Sequence, residues 1–476
     1  AIASGSTPLK DPAAKIQHIE CEKLELATAA GADGKLYPSS LNAEGNVHVF
    51  DDQQDLKAGR LDATLGQAGE STSKPSQSAG LDTSGVVLKN LVAQQDVLVK
   101  MEDGTIAKAD QITLETKDGK RQVKLLGRPN AQVISKQTTL TGPIITLWPD
   151  DQQASVLGAG TLHTMQNQAG QATAQPLDVK WDTGVSVDGS KNLIEVTGNV
   201  EAVSKQADGS LDKASAQKMT LNLSESPAAS TKPTTNQAGE NRFLSDREIT
   251  QVTLQEKAEV NSLLTTEEGA LLRRLNLSAA TIEYHPREKR LVVPCEGRLL
   301  YEDHRKDQQS APADEIGKAR GAVAMEWKKE MQLDESKQLA WMTGDVAVVH
   351  QAQGANEPSF RLDAQKVTAE LREGATTRPA SQPSTSPSDL PRLEVRRVIA
   401  EDQVKVTAQQ LSFEANRVEY DPQTDLMTAT GKDRVPGELY DDKGASRGSF
   451  EELVFNTKTA EIKSMKKASG TVRHKF

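Results

Sequence analysis

The chain has 476 residues, of which 36 % are apolar, 3 % aromatic and 26 % charged. That is too long for one ordinary core and too lean for a thick one, and it suits thin sheets with one wet face, in two domains or one repeat body. The formal net charge of −10 is spread over interspersed acids and bases, which reads as a solvated surface and argues against nucleic acid as a partner.

Ala1–Ala14 is small, polar and Pro-containing, an extended lead-in. Lys15–Leu26 begins a strand pattern with imperfect alternation. Leu41–Val49 and Gln54–Leu65 form the first clear unit, with Asp51 and Asp52 in its turn. Gly66–Gly85, rich in Ser, Gly and Gln, is expected to be a mobile loop. Strands follow at Leu91–Met101, Thr105–Glu115, Arg121–Ser135 and Thr138–Trp148, with Asp103-Gly104 as a hairpin signal. Leu157–Thr164 and Asp178–Val187 are expected to form another pair.

The clearest unit is Asn192–Val203 with Ala214–Leu223. Ile194, Val196, Gly198, Val200 and Ala202 fall on one side of an extended chain, the period of a half-buried strand. In the second piece the phase slips between Ala216 and Met219, which demands a bend or bulge. Ser224–Asp246 is loop-like and is the expected module boundary. Beyond it, Ile249–Ser262 is expected to pair with Leu271–Tyr284, Arg290–Asp303 with Gly321–Leu333, and Leu339–Gln351 with Phe360–Leu371. Residues 372–391 are low-complexity and expected to be disordered. Leu393–Val406, Gln409–Tyr420, Asp425–Tyr440 and Arg447–Ile462 complete the strands, with a short one expected at Gly470–Lys475. Thr266–Leu275 has the composition of helical turns. No segment carries a long helical period, so the fold is expected to be all-β, with modules at 15–223 and 247–476.

The phase slip recurs. It is read at Ala58/Leu61/Ala63, Ala109/Ile112/Leu114, Thr141/Ile144/Thr146, Ala216/Met219/Leu221, Ala279/Ile282/Tyr284, Ala364/Val367/Ala369, Ala408/Leu411/Phe413 and Phe450/Leu453/Phe455. Upstream of several slips stands a small residue shortly before a Val: Gly45-Asn46-Val47, Gly198-Asn199-Val200, Ala258-Glu259-Val260 and Gly344-Asp345-Val346. Recurrence in order marks a repetitive β architecture.

Little in the chain points to catalysis or to a metal. Cys21 and Cys295 lack a CxxC or a His-rich neighbour, so buried thiols are favoured, with a mutual disulfide left open. The seven histidines are scattered; His48 should face outward between Val47 and Val49, and His350 should sit at a strand rim. The chain has no phosphate-cradling glycine loop, no G-x-S-x-G and no HExxH. Nor does it have a run of about 18 apolar residues to span a bilayer as a helix. The expectation is a non-enzyme without cofactor.

The Gly-x-Val strand, the polar turn and the Ala-x-x-apolar strand together resemble the OstA-like repeats of the lipopolysaccharide-transport bridge proteins. The motifs that carry the resemblance are Leu41–Val49, Thr197–Val200, Trp341–Val348 with Leu362–Val367, and Ala415–Asp421 leading to Leu426–Gly431. The resemblance implies a β-jellyroll of two facing sheets, located in the periplasm, with a tether to the inner membrane outside this chain left open. It also implies lipopolysaccharide acyl chains held between the sheets, and bridge or transporter partners docked through edge strands. The residues expected to line such a groove are Val47, Val49, Leu61, Val97, Val99, Ile112, Leu114, Val196, Val200, Met219, Leu221, Val260, Leu277, Ile282, Val346, Val348, Val367, Val404, Val406, Leu411 and Phe413. Two alternatives stand beside it: a structural or adhesive envelope solenoid with a closed core, and a carbohydrate-active solenoid enzyme.

Overall fold

The structure, a computed structural model, describes residues 18–30, 36–51, 54–67, 86–117, 120–135, 138–166, 175–205, 210–225, 247–266, 269–304, 321–351, 359–373, 393–408, 411–431, 435–441, 444–457, 459 and 461–467. The expected lead-in, most of the loop at 66–85 and of the linker at 224–246, nearly all of 372–391, and the strand at 470–475 lie outside the described residues. Packing divides the chain into two compact units: unit 1 is 1–166, 176–202 and 218–250, and unit 2 is 167–175, 203–217 and 251–476.

The chain is all-β. Unit 1 holds β1 (His18–Glu20), β2 (Lys23–Ala30), β3 (Leu36–Phe50), β4 (Gln54–Gln67), β5 (Val86–Met101), β6 (Ile106–Lys117), β7 (Lys120–Ser135) and β8 (Thr138–Trp148). β9 (Gln153–Leu157), β10 (Gly160–Gln166), β11 (Gln175–Trp181) and β12 (Gly184–Asp188) follow. β13 (Leu193–Lys205), β14 (Leu211–Glu225) and β15 (Arg247–Thr265) give residues to both units. Unit 2 continues with β16 (Leu271–His285), β17 (Arg290–Val293), β18 (Gly297–Asp303), β19 (Gly321–Trp327), β20 (Glu330–Asp334), β21 (Leu339–Gln351) and β22 (Phe360–Glu373). It ends with β23 (Leu393–Ala408), β24 (Leu411–Asp421), β25 (Leu426–Thr430), β26 (Gly437–Asp441), β27 (Ser446–Asn456) and β28 (Glu461–Lys467). Neighbours pair antiparallel. Among the described residues the one helical turn is Pro149–Asp151; of the stretch expected to be helical turns, Thr266 N donates to Ala270 O (2.9 Å) and Leu271 onward is strand β16.

The long strands turn a corner at mid-length, and apart from β7, where residues 127–130 bulge between Leu126 and Ala131, the corners come in two kinds. In one kind two consecutive residues take left-handed backbone: Gly45-Asn46, Gln95-Asp96, Gly198-Asn199, Glu256-Lys257, Gly344-Asp345 and Asp402-Gln403. Buried side chains then recur four apart, as in Ala43/Val47, Ala93/Val97 and Ala400/Val404. In the other kind one residue on the paired strand opposes the left-handed two, and apolar side chains recur three apart, as in Ala58/Leu61 and Ala364/Val367. The mismatch is a β-bulge that bends both strands together.

The sequence reading found this device with the phase wrong in three places. In β8 the buried pair across the corner is Gly142 and Ile145, one residue later than Thr141/Ile144, and of the expected three only Thr146 is buried. Ala408/Leu411/Phe413 straddles the β23–β24 hairpin, and the corner of β24 is at Ala415/Val418. In β15 the left-handed pair precedes Ala258 and does not include it. Leu157–Thr164 and Asp178–Val187 are each broken at the corner, giving β9 with β10 and β11 with β12; β9 pairs with β8 and β12, and β10 with β8. Arg447–Ile462 is β27 plus the start of β28.

Glycine is required where a broken strand abuts the corner. Glu22 N donates to Gly45 O (3.0 Å), Asp182 N to Gly198 O (2.7 Å) and Lys328 N to Gly344 O (2.7 Å). A Cβ on any of the three glycines would run into Glu22, Thr183 or Lys329 respectively. The hairpins at the strand ends also repeat. Gln152, Asn192, Lys289, Gln338 and Asp425 are left-handed, and the carbonyl of each accepts a backbone N–H from a later turn or strand, as Asn192 O does from Leu223 N of β14 (2.8 Å) and Gln338 O from Leu371 N of β22 (2.8 Å).

Candidate functional site

The corner divides each strand into two arms, and registers align their apolar residues in rows. In unit 1 one arm carries Ala43, Leu61, Ala93, Ile112, Leu125, Ile145 and Val156 next to the corner, partnered strand by strand or directly adjacent. All are at most 5 % exposed. One step outward runs Leu26, Leu41, Ala63, Leu91, Leu114, Val123, Leu147, Ala154, Val187 and Ile194, again in register. Most of this row is half-buried and Leu26 is 55 % exposed.

The other arm repeats the arrangement. Val47, Ala58, Val97, Ala131 and Gly142 lie next to the corner and are buried. Outward of them Ile19, Val49, Leu56, Val99, Ala107, Val133, Leu140 and Leu162 form one uninterrupted row over eight strands. Ala107 is buried and the other seven are half-buried. The two arms face one another through these rows: a Cβ on Gly142 of one would collide with Val156 of the other. Packing is therefore tight at the corner and loosens outward. Two surface depressions, of about 320 and 430 Å³, lie elsewhere, lined by polar outward side chains such as Gln111, Thr113 and Lys124, or Glu44, Asn46 and Arg60.

In unit 2 the row next to the corner on one arm is Leu254, Ile282, Val293, Met331, Met342, Val367, Ala400, Val418, Ala429 and Leu453, each at most 7 % exposed. Opposite, Ala258 and Val346 are buried at the corner, and outward of them runs Val260, Leu277, Leu299, Met325, Val348, Leu362, Val406, Phe413 and Leu439. Two indoles fill their corners in the same way. Trp181 Nε1 donates to Gly158 O (3.1 Å) and Trp327 Nε1 to Cys295 O (2.9 Å), each ring lying over a glycine of the next strand, Gly160 and Gly297.

The structure sorts the sequence-derived residues by burial, with Leu277, Val406 and Phe413 buried although they lie in the outward row. Val47, Leu61, Val97, Ile112, Val196, Val200, Met219, Leu277, Ile282, Val346, Val367, Val404, Val406 and Phe413 are buried. Val49, Val99, Leu114, Leu221, Val260, Val348 and Leu411 are half-buried and lie further out. Sequence reasoning missed Leu56, Val133, Leu140 and Leu162, which the register of their neighbours would have placed in the same row.

The polar candidates fall outside these rows. His48 faces outward, with Nε2 2.8 Å from Asp55 Oδ1 and its ring 4.5 Å from that of Phe50. His350 lies at the rim, stacked on Phe360 at 5.1 Å, and Phe360 meets Tyr420 at 6.5 Å, whose phenol is pushed up by burial. Cys21 and Cys295 are free thiols and only half-buried, against the expectation of buried ones. Among the described residues no three His, Cys, Asp or Glu side chains converge as a metal ion would require, and no helix is long and apolar enough to cross a membrane.

Fold and site define an antiparallel repeat protein whose two arms present apolar rows to each other and polar faces outward. No family model matches the chain, and no curated protein is significantly similar to it.

Proposed function

We propose that the chain is a non-enzymatic carrier of acyl chains, of the kind lipopolysaccharide bears, which shelters them between the facing arms during transport through the periplasm. The observation that carries this reading is the half-buried row from Ile19 to Leu162, aliphatic at every one of eight strands. Seven strand spacings of about 4.8 Å make it about 34 Å long. Each methylene buried there favours binding by about 0.8 kcal/mol, so hydrocarbon needs no polar partner in the slot. The resemblance of the Gly-x-Val and Ala-x-x-apolar strands to OstA-like repeats supports the same reading.

A photo-cross-linking residue at Val99 or Val348 should capture lipopolysaccharide in cells, and one at outward Glu201 should not. Equal capture at all three, or none at Val99 and Val348, contradicts the carrier. The second reading is a closed structural repeat body; the observation that favours it is the sealing of the last strands of unit 2, where Val406, Phe413 and Phe455 are at most 1 % exposed.

A further inference from the structure

The outer rows of unit 2 change character along the strands. From β15 to β21 one arm offers Val260, Leu299, Met325 and Val348, half-buried, with Leu277 the buried exception, and Tyr284 on the opposite arm is 39 % exposed. From β22 onward the same row reads Leu362, Val406, Phe413 and Leu439, at 4, 0, 1 and 6 % exposed. Facing them, Met427 and Phe455 are each 1 % exposed.

Aromatic rings make the change. Phe413 on one arm meets Phe455 on the other at 6.1 Å and 61°, and Phe450 beside the corner at 6.4 Å and 79°. Both contacts are edge-on, the geometry in which aromatic pairs fill space and attract. Further out, Phe360 lies between His350 and Tyr420, at 5.1 and 6.5 Å. Rings therefore occupy the space between the arms at every depth, from Phe450 at the corner to Phe360 at the rim. In β15–β21 the rim row holds Tyr301, Val323 (8 % exposed) and His350 in register with Phe360, and the contrast lies one row in, where the aliphatic Val260, Leu299, Met325 and Val348 stay half-buried.

We infer that this aromatic partition is the end wall of the slot in unit 2, and that Phe413 and Phe455 set how far a hydrocarbon chain runs along it. The inference rests on the carrier reading and limits it: Val406 and Phe413 belong to the wall, and the lining stops at β21. Between β15 and the wall lie β15, β16, β18, β19 and β21, whose four spacings of about 4.8 Å span about 19 Å. A bilayer core of about 30 Å gives each tail about 15 Å, so the space fits one acyl tail. The slot is blind at this end, and a tail enters and leaves it by the open side.

The test uses the full chain and fatty acids carrying a diazirine at the chain terminus, with labelled peptides mapped by mass spectrometry. With longer probes the label should advance along unit 2 and stop at β21, leaving β24 and β27 at background. In Phe413→Ala/Phe455→Ala, labelling of β24 and β27 should rise from background to parity with β21. Label in β24 or β27 of the wild type, or an unchanged pattern in a variant that still melts cooperatively, overturns the wall while leaving the carrier standing. Should the variant not fold, the wild-type probe series decides alone. No specific label anywhere in the chain overturns the carrier reading, and the wall with it.

Discussion

The first eight strands of unit 1 and the last six of unit 2 use the same corner, yet they treat the space beyond it differently. In both, apolar side chains recur four apart on one strand and three apart on its partner, so the arms diverge in the same way. One step out from the corner unit 1 places mostly Val, Leu and Ile, and most of these rows stay half-buried. The end of unit 2 places Phe413, Met427 and Phe455, which close the space to 1 % exposure. The corner sets the direction of the arms, and side-chain volume in the second row decides whether anything else fits between them.

This contrast predicts where the chain tolerates truncation. Phe413→Ala and Phe455→Ala each remove a ring from a sealed core and should cost about 3–5 kcal/mol of unfolding free energy. Val99→Ala, in the half-buried row, should cost about 1 kcal/mol, two methyl-sized groups at partial burial. Urea titrations would measure both, and equal losses would mean that the two regions are packed alike.

A second test probes what the regions share. Gly198→Ala and Gly344→Ala place a Cβ in left-handed backbone, at a cost of about 1–2 kcal/mol, and against Thr183 or Lys329 as well. The total should exceed the backbone cost alone. Asp402→Gly, at a left-handed corner with no broken strand beside it, should be neutral or stabilising. A neutral Gly198→Ala would show that the corner is not held by that contact.

The smallest effect is one of pH. Asp188 and Asp334 close equivalent hairpins, accepting from Lys191 N (3.1 Å) and Lys337 N (2.9 Å) and pairing with the same lysines' Nζ at 2.8 and 2.7 Å. Bonds from Lys191 and Ser190 hold the Asp188 carboxyl down from 3.8 to about 2, and Lys337 lowers that of Asp334. A carboxyl with a depressed folded-state pKa stabilises above its unfolded value and loses that contribution as pH falls through the folded one. The stability gap between wild type and Asp188→Asn should thus be constant above pH 5 and shrink from about pH 4 to about pH 2. A gap that persists at pH 2 would assign the effect to the turn backbone.

Much of this architecture was legible because the corner leaves a trace in spacing. Ala58/Leu61, Ala109/Ile112, Ala279/Ile282 and Ala364/Val367 show it directly. Gln95-Asp96 and Asp402-Gln403 left no such trace, since polar residues adopt the left-handed pair without a glycine where no broken strand crowds them. In β8 Thr141, Ile144 and Thr146 mimicked the spacing one residue out of phase, and β-branched residues on both faces gave no contrast to correct it. How far the arms part was not legible at all. Val99 and Val406 carry the same strand alternation, yet one is half-buried and the other sealed, because alternation fixes a face and not what packs against it from elsewhere in the chain.

The central claim is that hydrocarbon enters between the arms where the second row is aliphatic. An environment-sensitive fluorophore on a single cysteine at position 348, in a Cys21→Ser/Cys295→Ser background, tests it directly on adding lipopolysaccharide. The account predicts a saturable blue shift at 348 and none for the same label at 201. No shift at 348, or an equal shift at 201, would contradict it.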